Sequence, residues 1–532
     1  MRQRCTFNLA RVVAPLLVAA ALGTLLASGG AAAQGLDETC LLALTKLDEG
    51  TTNVLYPDDS ARYYSGLFTA VPGTEILLTG RFPHTRYMSF NVYDQALRPV
   101  DALADVQLAP DPGSINPFVQ GASRTATNRS YTAVISFAQP PATRARNTMY
   151  AEAGQPGGLA ANPVGDFVYR IYVPDNGQDE YGGVGLPTAE VVQAGSTQSV
   201  TPSVCAQVHK PETTEINTIL NSSDSMPAAE TTQTAGSVRN PPHWRKFVNV
   251  ASSVGMAFTD NPSFNNAGQS DLDTLGGSGG FLSNRDNAYV SALTNRGYGQ
   301  VLVTQLRAPT FPNTRPGTPV MPGGQLRYWS VCQNDPVTER VTACLNDDRS
   351  VVAPDGIATF VVSTPNERPT NATAACGVNW LPWGPDERGA LIYRNMLPAA
   401  SFAQAIQKAT PDHESATMGD YFPVSRYYAD AHAFQALGCA HASAPAAAAP
   451  PARAPARACV SRRRFVIHVP AAALSVRIAG RRVSLRGPTA VVDLRGLPRE
   501  AVRAVISLRG GRRQVRTYHP CRPGTGAGRR AR

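Results

Sequence analysis

The sequence predicts an all-β protein: two duplicated antiparallel β-sandwich (jelly-roll-like) domains with few helices, then a small C-terminal β domain. The first observation behind this is repetition. RYMSFNVYD at 86–94 and RYWSVCQND at 327–335 share Arg-Tyr, Ser and the closing Asp, 241 residues apart. Other blocks keep the same order: YYSGL (63–67) with YVSAL (289–293), EILLTGRFP (75–83) with QVLVTQLRAP (300–309), SYTAVISFAQP (130–140) with GIATFVVSTP (356–365), and VYRIYVPD (168–175) with IYRNMLPA (392–399). The second observation is period. Each block alternates apolar and polar residues or is a short β-branched run bounded by Gly, Pro, Asn or Asp, the pattern of strands joined by turns. The third is composition: 45 Gly and 43 Pro in 532 residues favour turns and short strands over long helices.

Alternation along 86–94 places Tyr87, Ser89, Asn91 and Tyr93 on one face, with Met88, Phe90 and Val92 on the other. In the second copy, RYWSVCQNDPVTERVTACLND reads as a hairpin turning around Pro336 to Glu339. That pairing sets Cys332 across from Cys344, within reach of a disulfide, whereas the first copy has Asn91 and Leu103 there. Helical spacing is confined to TTEINTILN (213–221) and SFAQAIQKAT (401–410), the latter with Ser401 as a candidate cap.

The expected organisation begins with a secretory signal at 1–33. Arg2, Arg4 and Arg11 precede the apolar run VVAPLLVAAALGTLLA, and Ala31-Ala32-Ala33 offers small residues for cleavage. The first sandwich repeat is expected at 34–210, a linker at 211–240 and the second repeat at 241–440. An Ala/Pro spacer follows at 441–458, then a small basic β domain at 459–521 and a basic, disordered tail at 522–532. No later stretch is apolar enough to span a bilayer, so the mature chain is expected outside the cell or in its envelope, with no transmembrane segment. Eight cysteines follow the signal and form no C-x-x-C pair, which argues for disulfides in an oxidising compartment. The expected pairs are Cys459–Cys521, bracketing the small domain, Cys332–Cys344, Cys40–Cys205 and Cys376–Cys439.

Net charge is unevenly distributed. From residue 451 onward there are 20 Arg and no Lys against Asp493 and Glu500, so the preceding chain carries −8 of the overall +10. Arg462, Arg463, Arg464, Arg481, Arg482, Arg512 and Arg513 are the candidates for holding an anionic extracellular or cell-wall polymer in a salt-dependent way. Extracellular nucleic acid is a less natural partner. The competing reading is a solubilising basic surface.

The repeated Arg-Tyr-x-Ser-x-x-x-x-Asp supports two readings. Arg86, Tyr87 and Asp94, with Arg327, Tyr328 and Asp335, form a polar ligand-holding face, or they are cross-strand partners and turn starters needed by both copies to fold. Trp380 and Trp383 in ACGVNWLPWG are rings for stacking on sugars or are core anchors. No cofactor is expected beyond a candidate Ca²⁺: Asp175, Asp179 and Glu180, around Gly177, are either oxygen ligands for that ion or parts of a turn. The formal G-x-S-x-G at 276–280 lacks the strand-turn-helix context of a nucleophile elbow. His84, His243 and His413 are isolated, without a partner motif.

NRDNAYVSAL, GQLRYWSVCQND, ACGVNWLPWG and GRFPHTRYMSFNVYD resemble blocks of a group of uncharacterised secreted proteins of high-GC bacteria. The NWLP block, followed by a strand ending in Pro, is more distantly similar to paired domain-of-unknown-function proteins built on β-sandwiches. The resemblance spans about residues 37–438. It implies fold and location and brings no activity. The C-terminal module resembles small Arg-rich β domains appended to secreted proteins. The expected function is a non-catalytic envelope or extracellular binding protein for a glycan or anionic polymer. The alternatives are a hydrolase using carboxylates such as Asp94, Asp335 or Asp347 between the repeats, and a purely structural extracellular protein.

Overall fold

The alternating blocks form the strands they predict. The computed structural model describes residues 45–47, 53, 55–94, 99–153, 164–198, 209–210, 240–247, 282–336, 339–439, 464–470, 473–478, 481–493, 502–509 and 513–518. The expected signal at 1–33, residues 211–239 of the first expected linker (TTEINTILN among them), the second expected linker and the 276–280 glycine segment lie outside them. The chain divides into two units, Met1–Ala446 and Ala447–Arg532.

In the first sandwich the strands are β1 (Thr45–Leu47), β2 (Ala61–Thr69), β3 (Thr74–Arg81), β4 (Thr85–Tyr93), β5 (Pro99–Ala104), β6 (Ser130–Ser136), β7 (Thr148–Tyr150), β8 (Val164–Pro174), β9 (Thr188–Gln193) and β10 (His209–Lys210). One sheet runs β1-β2-β8-β4-β5, with β10 also on β2, and the other β7-β6-β3-β9. The second sandwich has β11 (Arg245–Lys246), β12 (Asn287–Asn295), β13 (Val301–Arg307), β14 (Leu326–Asn334), β15 (Val341–Asn346), β16 (Ile357–Ser363), β17 (Val378–Pro382), β18 (Arg388–Pro398) and β19 (Val424–Tyr428). Its sheets run β11-β12-β18-β14-β15 and β17-β16-β13-β19. From β2 and β12 onward the two orders match element by element. The match includes the parallel β6–β7 and β16–β17 pairs. It also includes a register shift after Val92 and after Gln333. Arg86 and Arg327 hold the same place on β4 and β14.

Met88, Phe90 and Val92 pack with Ile76, Leu78, Ile135 and Phe167 between the two sheets of the first sandwich. Trp329 and Val331 pack likewise with Leu302, Phe360 and Leu391 in the second. Each such side chain contributes about 1.5–3 kcal/mol by leaving water. The opposite face of β4 is also covered. All nine residues of β4 and all nine of β14 are buried. Tyr87, Tyr172, Ala61 and Ala104 form one cluster with Tyr328 and Met396, so the inner sheets of the two sandwiches pack against each other along a seam.

The helical segments are short: α1 (Glu414–Met418) and α2 (Ala431–Gln435). The helix expected at 401–410 is instead a chain of turns with one 3-10 turn at Ile406–Lys408, and Ser401 caps nothing. Asn395 overrides the helical spacing: its side-chain oxygen accepts the Ile406 N–H, and its carbonyl accepts the Gln407 amide.

The second unit holds β20 (Arg464–His468), β21 (Ala473–Ile478), β22 (Arg481–Val483), β23 (Leu485–Arg486), β24 (Thr489–Asp493), β25 (Val502–Leu508) and β26 (Arg513–Tyr518). They form sheets β20-β24-β23 and β22-β21-β25-β26, closed over Ile467, Val476, Ile478, Val492, Ala504 and Ile506. Two of the expected disulfides are present, Cys332–Cys344 and Cys376–Cys439. Cys40, Cys205, Cys459 and Cys521 lie outside the described residues.

Candidate functional site at the seam

The repeated arginines are brought together, but as clamps. Arg86 is ion-paired with Asp347 of the second sandwich and lies 3.5 Å from Asp348. Arg327 returns the gesture, its Nη1 donating at 3.2 Å to both oxygens of Asp105. Each aspartate also accepts a backbone N–H from its own sandwich, Met88 to Asp105 and Trp329 to Asp347, both at 3.0 Å. Burial raises both carboxyls, Asp347 to about 6, against the opposing pull of their arginines. Tyr87 donates to Asp286 at 2.7 Å and Tyr328 to Asp58 at 2.8 Å. These four residues therefore line no open ligand face; tertiary packing has enclosed the polar side of the strand. Asp94 is buried at the end of β4 and Asp335 half-buried at the end of β14.

Trp383 is a core residue. Trp380 is half-buried, donating to Ser363 at 3.0 Å beneath the Arg368 guanidinium, so neither ring is a free stacking platform. The acidic trio does not converge. Asp175 is buried against Arg124 at 2.6 Å, Asp179 accepts the Tyr181 and Gly183 N–H groups, and Glu180 lies 3.5 Å from Arg62. The group of three potential metal ligands found among the described residues, Asp58 with Cys332 and Cys344, has both sulfurs tied in the disulfide. His84 contacts Arg129 and is held down to about 4 by burial and by Arg129, Arg124 and Arg81. In the second unit Arg464 and Arg482 are exposed, Arg481 and Arg513 lie on β22 and β26, and Arg462, Arg463 and Arg512 fall outside the described residues.

The seam also contains a solvent-open pocket with a cavity volume of about 90 Å³, lined by both sandwiches in matching pairs: Tyr63 with Tyr289, Val168 with Ile392, and Arg170 with Arg394. Strand register makes the pairs. Tyr63 is the cross-strand partner of Arg170, and Tyr289 of Arg394. Each arginine then crosses the seam: Arg394 Nη2 donates to the Tyr56 carbonyl and Arg170 Nη2 to the Leu282 carbonyl. Both acceptor residues take the left-handed backbone, Tyr56 at φ 53° and Leu282 at φ 45°. Bulky residues adopt that conformation only where surrounding structure imposes it.

The symmetry breaks at one position. Asp58 Oδ2 lies 3.9 Å from Arg394 Nη1. Its counterpart in the second sandwich is Asn284. The Asp58 carbonyl accepts the Ala61 N–H and that of Asn284 accepts the Asn287 N–H, each just before β2 or β12. Asp58 takes the Tyr328 hydroxyl, and Asn284 pairs with that of Tyr87. Asn284 is neutral, so Arg170 has no described carboxylate at ion-pair distance. Asp286 is occupied by Tyr87 and feels Arg170 only at longer range. Arg170 is 2% exposed, and its Nη1 is buried with no hydrogen-bond partner among the described residues. Arg86, Arg327 and Arg394 each face a carboxylate within 4 Å across the seam; among the described residues Arg170 has none at that distance.

The signal for these residues was present in the sequence: VYRIYVPD and IYRNMLPA both carry Tyr-Arg inside an otherwise apolar strand. A charge repeated in the middle of a two-faced apolar strand marks a buried arginine. The exchange of Asp58 for Asn284 becomes visible only once the strands are superposed.

No family model matches the chain, and no curated protein matches it. Among solved structures it is similar to an uncharacterised protein from Burkholderia cenocepacia, at 12% identity and a TM-score of 0.40, over 80% of this chain and 90% of that one. It is also similar to a Vibrio parahaemolyticus protein, at 11% identity and a TM-score of 0.33, over 68% and 90%. Likenesses at this distance carry no functional argument.

Proposed function

We propose that the chain is an exported, non-catalytic binding protein whose two sandwiches arose by duplication and hold an anionic extracellular ligand in the pocket between them. The observation that carries this reading is a seam pocket walled by equivalent residues of both copies, with two buried guanidinium groups among aromatic and aliphatic side chains. Concave, largely apolar sites with a few convergent polar groups are the usual form of a ligand seat. The described lining includes no Asp, Glu or His, and Asp347 is committed to Arg86, which favours binding over hydrolysis. The Arg-rich second unit then serves as an electrostatic tether to envelope polymer. This assignment accords with the resemblance to secreted sandwich proteins of high-GC bacteria.

The test is a thermal-shift screen of the mature protein with acidic and neutral sugars, oligosaccharides and organic acids, followed by hydrogen exchange on the hits. Protection at 168–172, 289–292 and 392–394 supports the reading. Hits that protect only the second unit, or no hits, overturn it.

A further inference from the structure

Resting on the reading of the seam pocket as a ligand seat, we propose that its ligand is an amphipathic organic monoanion whose acidic head is held by Arg170. The charge balance of the seam identifies the head. A guanidinium stays protonated under all ordinary conditions. One sealed from water needs a counter-charge. Arg394 has Asp58, whereas the residue at the matching place in the second sandwich is neutral Asn284, which pairs with the Tyr87 hydroxyl. Ring faces compensate in part, since the Arg170 guanidinium lies 5.6 Å from the Tyr63 centroid and 5.7 Å from that of Tyr93. Neither ring supplies a negative charge or an acceptor for Nη1.

Geometry restricts the contact. Nη2 is committed to the Leu282 carbonyl, so Nη1 offers its hydrogens to a single oxygen and not to a bidentate fork. Charge restricts the ligand to one anionic group, because a second would find Arg394 already neutralised. The walls supply the remainder: Tyr172, Tyr289, Phe247, Leu55, Val168 and Ile392 receive an apolar or aromatic body.

The probes are 8-anilinonaphthalene-1-sulfonate and its uncharged parent, N-phenyl-1-naphthylamine, titrated by fluorescence against the full mature chain at fixed ionic strength. The anion is expected to bind saturably and about tenfold or more tighter than the parent, the size of one charge-assisted hydrogen bond. Arg170→Met should bring the anion down to the level of the parent and leave the parent unchanged. Asn284→Asp combined with Asp286→Ser writes Asp58 and Ser60 of the first sandwich into the second without altering net charge. It should abolish the preference for the anion while keeping Arg170. Thermal unfolding of each variant checks the fold, and the charge-neutral double variant carries the test if Arg170→Met fails to fold. Saturable binding of both probes with equal affinity, unchanged in the double variant, overturns the anion assignment and leaves the pocket reading standing. Saturable binding of neither overturns both.

Discussion

Arg86 of the first sandwich is ion-paired with Asp347 of the second, and both side chains are sealed from solvent. Arg327 and Asp105 form the reciprocal pair. Removing one partner strands the other's charge in a low-dielectric seam. Asp347→Ala should therefore cost about 3–5 kcal/mol in chemical denaturation. Replacing Arg86 and Asp347 together with Leu should cost much less, since no orphan charge remains. Equal losses for the single and double variants would show that the pair does not act as a unit.

Gly165 and Gly389 occupy the same place near the start of β8 and β18, and each is required by close approach. A Cβ at Gly165 would lie 2.4 Å from the Phe68 ring and 2.9 Å from the Tyr93 carbonyl; at Gly389 it would lie 2.4 Å from the Gln333 amide and 2.7 Å from the Thr294 hydroxyl. Gly165→Ala should destabilise by about 1–3 kcal/mol, in the range of core overpacking. Gly389→Ala should cost less, because an amide shifts more readily than a packed ring and a strand carbonyl. Urea midpoints of the two variants check the order.

His84 is held neutral, at about 4. An unfolded histidine titrates near 6.5. Between these values the unfolded chain takes up a proton that the fold refuses, so this residue's contribution is intact above pH 6.5 and declines as pH falls towards 4. His84→Gln should flatten the acid side of the stability profile, measured as melting temperature against pH. A native-state NMR titration of His84 near 6.5 would contradict this.

The Cys332–Cys344 disulfide spans 12 residues at a site where the first sandwich has none. Replacing both cysteines with Ala should leave the second sandwich folded and less stable by about 2–3 kcal/mol, as expected for closing a loop of this length. Peptide mapping without reduction should return this bond and Cys376–Cys439.

A tethering role for the second unit predicts a salt signature. Full-length mature protein should bind isolated envelope polymer at low salt, and a chain ending near Cys439 should not, because the remainder is acidic. Release is expected between about 0.1 and 0.5 M salt, as the Debye length falls from about 10 Å towards 3 Å at 1 M. Equal retention of the two chains would remove the tether.

The strands, their alternation and the matched order of blocks were legible in the residues alone, because side-chain period and turn residues act locally. The facing of Cys332 and Cys344 was legible there too, since a hairpin register needs only neighbouring strands. Whether Tyr87, Ser89, Asn91 and Tyr93 face water or another sheet was decided by tertiary structure alone. Alternation gives two faces and says nothing about what covers the second. The same applies to Arg86 and Arg327, whose carboxylates lie more than 200 residues away in the other sandwich. The unpaired state of Arg170 depends on long-range packing too: it follows from Asn284 standing, across the seam, where the matching copy has Asp58. A charge balance of that kind is a property of surfaces brought together, and no local pattern encodes it.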